Sequence, residues 1–491
     1  MMFHVQPVVL WTDALVFLLL IVVISFAWLS HRHEPLREPW RKVARSRGGM
    51  ASATVLAFFV AVGLLDSFHY QTAESLHGNG RPRAAGGEVL SVLDAVAMPL
   101  RLQTERTFSA PFATHAFAKE TMTLPDGSQV RDYPRLKHGG AHLTDPGSER
   151  TADILGKVGR GIAAAALAWS LFAAGLTFML AYRNGLSFAE VSRAVWRGRF
   201  PVPLRAVLVT LAMVLMVALP LATLAPHYHV LGTDKVGQDV LYLSLKSIRT
   251  GLVIGTVTTL VMLPFALALG IMAGYFKGWV DDLIQYLYTT LSSIPGVLLI
   301  AAAVLMMQVY MDTHAETFDS ITRRADFRLL FLCVILGVTS WTGLCRLLRG
   351  ESLKLREMDY VQAARSLGVG HLRIMMRHLL PNVLHLVIVT TVLGFSGLVL
   401  AEAVLSYVGV GVDPAMNSFG TMINSARLEM AREPVVWWSL ASAFAFMFTL
   451  VLTANLFADS VRDALDPRAG SSGRPARRTG RAIAARTVSG A

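Results

Sequence analysis

Residues 341–383 read WTGLCRLLRGESLKLREMDYVQAARSLGVGHLRIMMRHLLPNV, and how this stretch leaves one apolar run and enters the next decides the fold. The run at 328–347 and the run at 378–405 are each long enough to cross a bilayer. Between them the chain is basic, which places it on the cytoplasmic side by the positive-inside rule. Glu351 to Leu367 are good helix formers, Gly368 interrupts them, and His371 to Leu380 resumes a helical run. This predicts two short helices about a glycine corner, lying along the membrane face. Ala363 and Ala364 are small enough for another backbone to approach, while Arg365, Arg373, Arg377 and His378 surround them with charge. That combination reads as a docking surface, although Ala-Ala-x-x-x-Gly also suits an ordinary tight helix pair.

Working outward, windows of about 19 residues give spans near 8–30, 50–66, 160–182, 204–225, 248–275, 283–310, 328–347, 378–405 and 435–458. The expected fold is therefore all-α and integral to the membrane, a polytopic helical bundle of about nine spans. Composition agrees: 54% of the 491 residues are hydrophobic and 16% charged, with a mean hydropathy of +0.50, values that exclude an ordinary soluble surface. The alternation expected of outer-membrane strands is missing. Cys333 and Cys345 lie about 18 Å apart if one helix carries both, so no intrachain disulfide is expected. The net charge of +12 comes from Lys and Arg clustered beyond helix ends rather than in one stripe, which argues against nucleic acid as a partner.

Arg32, Arg37, Arg41, Lys42, Arg45 and Arg47 follow the first span, and Arg183, Arg193, Arg197 and Arg199 follow the third, so both loops are expected in the cytoplasm. The segment between them, about 67–156, is balanced in sign and is expected outside. Nine spans then put the N-terminus outside and the C-terminus in the cytoplasm of a bacterial inner membrane protein. The first apolar run has neither a basic n-region nor a cleavage site and reads as a retained helix. These features divide the chain into a two-span segment (1–66), an outer loop or subdomain (67–159), a third span with linker (160–203), a six-span part (204–468) and a basic tail (469–491). The tail, rich in Gly, Ser and Arg, is expected to be disordered and to meet anionic lipid, at about 1 kcal/mol per charge.

In the outer segment, Gly86 to Arg101 places Val89, Leu90, Leu93, Val96 and Ala97 at helical spacing, either as an interfacial helix or as the core helix of a small subdomain. TLPDGSQVRDYP reads as a hairpin turning at Asp126-Gly127. His115, His138 and His142 match no usual zinc spacing, so no metal site is assigned.

The loop at 346–382 resembles the EAA loop of ABC-importer permeases, specifically the C-type permease of the oligopeptide, dipeptide and nickel transport family. The resemblance rests on Arg346, Arg349, Gly350, Glu351, Leu355, Arg356, Asp359, Tyr360, Val361, Ala363, Ala364, Leu367, Gly368, Arg377, His378, Leu380, Pro381 and Asn382. It extends over about 204–468 through Gly232-Thr233-Asp234 with Gly237 and Asp239, Gly274-Tyr275-Phe276 with Gly278, Trp279 and Asp281, Pro295, Ala401-Glu402-Ala403, and Arg462 to Arg468. Gln362 stands where the family often has Glu, Gln238 where it has Arg, and Phe419 where it has Trp. The first three spans have no counterpart in the six-helix form.

The resemblance implies a non-catalytic permease for peptides or a similar small solute. Its partners would be a second homologous permease, two cytoplasmic ATPase subunits docked on the EAA loops, and a periplasmic substrate-binding protein. No cofactor is expected on this chain; ATP and magnesium would act on the partner subunits, and no G-x-x-x-x-G-K-[ST] motif occurs here. Glu402, inside an apolar run, is either a pathway residue or a hydrogen-bonding group near the outer boundary. Asp234 and Asp239 either meet the binding protein or cap the helix that starts at Val240. The rival readings, a membrane-anchored enzyme and a coupled secondary transporter, would need a catalytic constellation or inverted repeats with intramembrane carboxylates. Neither is visible.

Overall fold

A computed structural model of the chain describes residues 5–32, 34–72, 89–123, 129–314 and 320–465. The turn Asp126-Gly127 and the tail from 469 lie outside these residues. Among the described residues, nine helices are long and apolar enough to cross a membrane.

The chain begins with β1 (Val5–Val8), α1 (Trp11–Arg32), the amphipathic α2 (Glu34–Arg45) and α3 (Arg47–Ser67). Strands β2 (His69–Thr72) and β3 (Val89–Ser91) complete an antiparallel sheet in the order β1-β2-β3, with Tyr70 opposite Leu90. Two short helices follow, α4 (Val92–Val96) and α5 (Met98–Leu102), then the paired strands β4 (Glu120–Thr123) and β5 (Gln129–Asp132). The expected hairpin is present in those strands. The single helix expected over Gly86–Arg101 is not. Ser91 forms a capping box with Asp94, which starts a helix only at Val92, and Pro99 in the first turn of α5 starts another. Val89 and Leu90 are thereby released to pair with β2.

Then come α6 (Pro146–Asn184), α7 (Phe188–Trp196), α8 (Leu204–Leu224), α9 (Val240–Phe276), α10 (Trp279–Ser293), α11 (Gly296–Thr313), α12 (Ile321–Arg356), α13 (Asp359–Ser366), α14 (His371–Ile374), a π-helical turn Met375–Leu379, α15 (Leu380–Tyr407), α16 (Phe419–Glu429) and α17 (Trp438–Leu465). The span expected at 283–310 is two helices. Ile294 is extended (φ −86°, ψ 129°) and Pro295 caps α11, because the residue before a proline is pushed out of the helical region.

The centre of the bundle is α9 against α12. Gly270 and Gly274, one turn apart on α9, bring the two backbones together: a Cβ at Gly274 would lie 2.5 Å from Ser352 Cβ and 2.7 Å from the Arg349 carbonyl oxygen. Close approach through small residues is how helices gain dispersion contacts when lipid supplies no hydrophobic drive. Helix α3 packs along α17, α9 and α8, and α1 along α9 and α12. The N-terminal spans are thus built onto the six-span part. Trp40 and Val43 of α2 lie against Val461 and Ala464 of α17 and Ile388 of α15, so the basic stretch 32–47 sits on the same side of the bundle as the 346–382 segment.

Candidate functional site

The segment 346–382 is built on the end of α12. Beyond Arg356 the chain turns into α13, reaches Gly368 at φ +75°, and returns through α14 into α15. A positive φ costs an L-residue with a side chain about 1 kcal/mol, which glycine avoids. The two alanines part company here. Successive residues on a helix point about 100° apart, and Ala364 is buried at 8% exposure beside Val361, Ile374 and Leu379, whereas Ala363 is exposed. The outward surface is formed by Gln362, Ala363, Arg365, Leu367, Gly368, Arg373 and Arg377, with His378 half-buried at its edge. Leu367 stands 83% exposed at the corner, and Leu372 and Met376 of the returning segment are exposed as well. Exposed large apolar side chains in one short segment with exposed arginines make a surface suited to a partner.

That surface is held from beneath by the turn between α9 and α10. Arg356 donates to the Tyr275 carbonyl at 2.9 Å, and the Tyr275 hydroxyl lies 2.8 Å from His371 Nδ1. Arg349 forms a two-bonded ion pair with Asp281, whose hydrogen bonds hold the Asp281 carboxyl below its usual range. Lys277 pairs with Glu357 at 2.9 Å. The two short helices are therefore fixed to the bundle, and their exposed face is free.

On the far side of the bundle, Gly232–Asp239 packs under the outer segment. Thr233 is buried and donates to the Thr107 carbonyl at 2.9 Å, and Trp438 donates its indole N–H to the Thr233 carbonyl. Gly237 abuts the backbone of Glu105, where a Cβ would overlap the carbonyl. Asp239 caps α9 through the amides of Leu241 and Tyr242 and lies 2.8 Å from His229 Nδ1. Asp234 Oδ1 accepts from the amides of Val236 and Gln238. His229 Nε2 reaches Glu105 Oε1 at 3.4 Å. Burial opposes the charge on both groups, but hydrogen bonds outweigh it. His229 is lifted to about 9 by Asp239 and Glu105. Glu105 is held at about 2 by His229 and by the amides of His138, Lys137 and Gly139.

A family model described as binding-protein-dependent transport system inner membrane component matches residues 266–471. The glutathione transport system permease protein of Pectobacterium atrosepticum is 32% identical over 242 residues, 49% of this chain and 73% of that one. The chain belongs to the permease family of binding-protein-dependent ABC importers. The oligopeptide transport system permease protein of Mycobacterium tuberculosis is 30% identical over 239 residues, covering 49% and 76%. The dipeptide transport system permease protein of Lactococcus lactis is 30% identical over 241 residues, covering 49% and 64%. These relatives are permease subunits, so the chain is the multi-pass membrane component of an importer that works with an ATPase and a binding protein. The enzyme and secondary-transporter readings fall with that finding.

Glu402 of the permease is 1% exposed and accepts from the Ser406 hydroxyl at 2.7 Å, enclosed between α15 and α16. His142 pairs with Asp153 of α6 at 2.8 Å, and the His138 backbone serves Glu105. Among the described residues, no three His, Cys, Asp or Glu side chains are grouped to hold a metal ion.

Sequence reading missed a ladder of ions on α9. Tyr242, Lys246 and Arg249 occupy successive turns and each engages an acid from the N-terminal extension. Tyr242 donates to Asp94 at 2.7 Å, Lys246 pairs with Asp66 at 2.6 Å and Asp94 at 3.0 Å, and Arg249 pairs with Asp13 at 2.5 Å. Asp326 of α12 closes the group through Thr12. The signal was present as charges at the edges of apolar windows, which are rare without a partner.

Proposed function

We propose that this permease carries short peptides, the solute class in the names of its relatives, and that ATPase closure reaches the pathway through Leu367–Gly368. It would pair with a second homologous permease, receive one ATPase subunit on each EAA loop, take substrate from a periplasmic binding protein, and itself hydrolyse nothing. The carrying observation is the contrast within the loop, a base locked by Arg349–Asp281 and Arg356–Tyr275 beneath an exposed apolar corner. A rigid base under a docked knob transmits force as a lever and tilts α12 and α15 together, a two-state rocking of packed helices. Of the two roles open to Glu402, burial with Ser406 supports the structural one.

The test is Gly368→Leu in the assembled transporter. Insertion should persist, because the corner faces open space, while hydrolysis stimulated by loaded binding protein should fall to its unstimulated level. Full stimulation would overturn the docking assignment. Orientation, N-terminus outside and C-terminus cytoplasmic, is checked by single cysteines at the exposed positions Ser366 and Lys235. An impermeant thiol reagent added outside should label only Lys235→Cys, since Cys333 and Cys345 are buried.

A further inference from the structure

The inner half of α1 stands clear of the rest of the chain. At the outer end, Thr12 and Asp13 are buried and bonded to Asp326 and Arg249, and Leu15 and Val16 pack against the core that α9 and α12 share. Further in, Ile21, Val22, Val23, Ile24 and Ser25 are all exposed. Successive residues about 100° apart carry that run right round the helix, so no face of this turn rests on protein among the described residues. The chain then returns, because Trp40 and Val43 of α2 pack on Val461 and Ala464 of α17 and Ile388 of α15. Helix α1 is thus held at its outer end and, through α2, at its inner end. The apolar shaft between has room for acyl chains on every side, the side towards the bundle included.

Where that shaft ends, the chain is strongly basic. Residues 32–47 carry Arg32, Arg37, Arg41, Lys42, Arg45 and Arg47 against Glu34 and Glu38. The Arg32 guanidinium lies over the Trp28 ring, 3.7 Å from its centroid, an arrangement that suits a cation at the edge of an apolar layer. On α2, Arg37, Arg41 and Arg45 recur every fourth residue and form one stripe, with Lys42 beside it. Arg41, Lys42 and Arg45 are exposed, and among the described residues none of the four makes an ion pair. Uncompensated cations next to a bilayer draw anionic headgroups. Depth supports a lipid over a cytoplasmic protein as the source of the anion. Ile388, on which α2 rests, lies about 9 Å along α15 from Asn382, at roughly 1.5 Å per residue. Helix α2 is therefore level with the first turns of a spanning helix, whereas the exposed corner at Leu367 precedes that helix.

We propose that α1 and α2 hold an anionic phospholipid of the inner leaflet, on the orientation given above, with its phosphate on Arg41, Lys42 and Arg45 and its acyl chains along the exposed half of α1. The site belongs to the extension and does not depend on which solute is carried.

The experiment titrates the complete permease–ATPase complex in detergent with phosphatidylglycerol and, as a zwitterionic control with the same acyl chains, phosphatidylcholine, and counts bound lipid by native mass spectrometry. Phosphatidylglycerol should bind about tenfold more tightly than phosphatidylcholine. Arg41→Gln, Lys42→Gln and Arg45→Gln together should erase that preference, as the loss of charges beside an anionic headgroup requires. Arg41→Lys with Arg45→Lys, which keeps the charge, should retain it. Arg193→Gln, Arg197→Gln and Arg199→Gln, which remove exposed cations beyond the third span, should leave binding unchanged. Glycerol 3-phosphate, which lacks acyl chains, should not compete. Equal affinity for the two lipids overturns the site, and so does unchanged binding in the α2 triple variant or an equal loss in the 193–199 variant. Competition by glycerol 3-phosphate would make the stripe a free-phosphate site, and loss of ATPase subunits from the α2 variant with lipid binding intact would make it a protein contact. Either result overturns the proposal.

Discussion

Arg349 donates from Nε to Asp281 Oδ1 at 2.6 Å and from Nη2 to Oδ2 at 2.7 Å, joining the end of α12 to the first turn of α10. A fork of two parallel bonds fixes direction as well as distance, which a single contact does not. The pair stands at the base of the 346–382 loop, where motion of the corner would pass into the bundle on the lever proposed above.

Arg349→Lys keeps the charge and removes the fork, so it should not behave conservatively. The pair is partly solvated, with Arg349 a quarter exposed, and its contribution to stability is accordingly small, about 1 kcal/mol. The expected outcome is near-normal assembly with stimulated ATP hydrolysis reduced severalfold, in Arg349→Lys and Asp281→Asn alike. Normal stimulation in both would mean that the fork is not part of the lever.

Asp13 and Arg249 make the opposite case, because both are buried. Removing one partner of a buried pair leaves a charge without compensation and costs about 3–5 kcal/mol. Asp13→Asn should lower the yield and heat tolerance of the purified complex sharply. Asp13→Asn combined with Arg249→Gln, which removes both charges, should recover much of the loss. If the double variant is no better than the single one, the ion ladder does not secure the extension to α9.

These two pairs show what sequence could and could not reveal. The EAA loop was legible because its helices, glycine corner and flanking spans are local patterns. Nearly every spanning helix was legible for the same reason, although α9 and α12 run past their apolar windows into polar sequence. Arg249 meets Asp13 across 236 residues, and no local pattern carries such a pairing. The split of 283–310 at Pro295 had its signal in the proline. The different facing of Ala363 and Ala364 follows from helix geometry alone once α13 is accepted.

The cluster of Glu105, His229 and Asp239 predicts a pH window for the far-side contact. His229 is raised from 6.5 to about 9, so its contribution is fully present below 6.5 and is lost as pH rises through about 9. Glu105 is lowered from 4.5 to about 2, so its contribution is present above 4.5 and is lost as pH falls through about 2. Limited proteolysis of the 105–144 segment should therefore be slowest between about pH 4.5 and 6.5 and accelerate above 9. His229→Gln should abolish the alkaline acceleration. An unchanged alkaline limb in that variant would assign it to another group.

Gly274 and Gly368 both precede turns of the same site, yet their substitutions should fail differently. A methyl group at Gly274 meets Ser352 Cβ at 2.5 Å and the Arg349 carbonyl oxygen at 2.7 Å, atoms that cannot move without parting α9 from α12. Overpacking of this kind costs about 1–3 kcal/mol, so Gly274→Ala should lower the thermal midpoint of the complex measurably. At Gly368 nothing lies within 4 Å of an added Cβ, and only the positive φ of 75° opposes it. Gly368→Ala should cost about 1 kcal/mol at most and leave the midpoint nearly unchanged, while a larger side chain there interferes with docking instead. A thermal midpoint lowered more by Gly368→Ala than by Gly274→Ala would show that the corner, rather than the helix crossing, carries the stability of the loop.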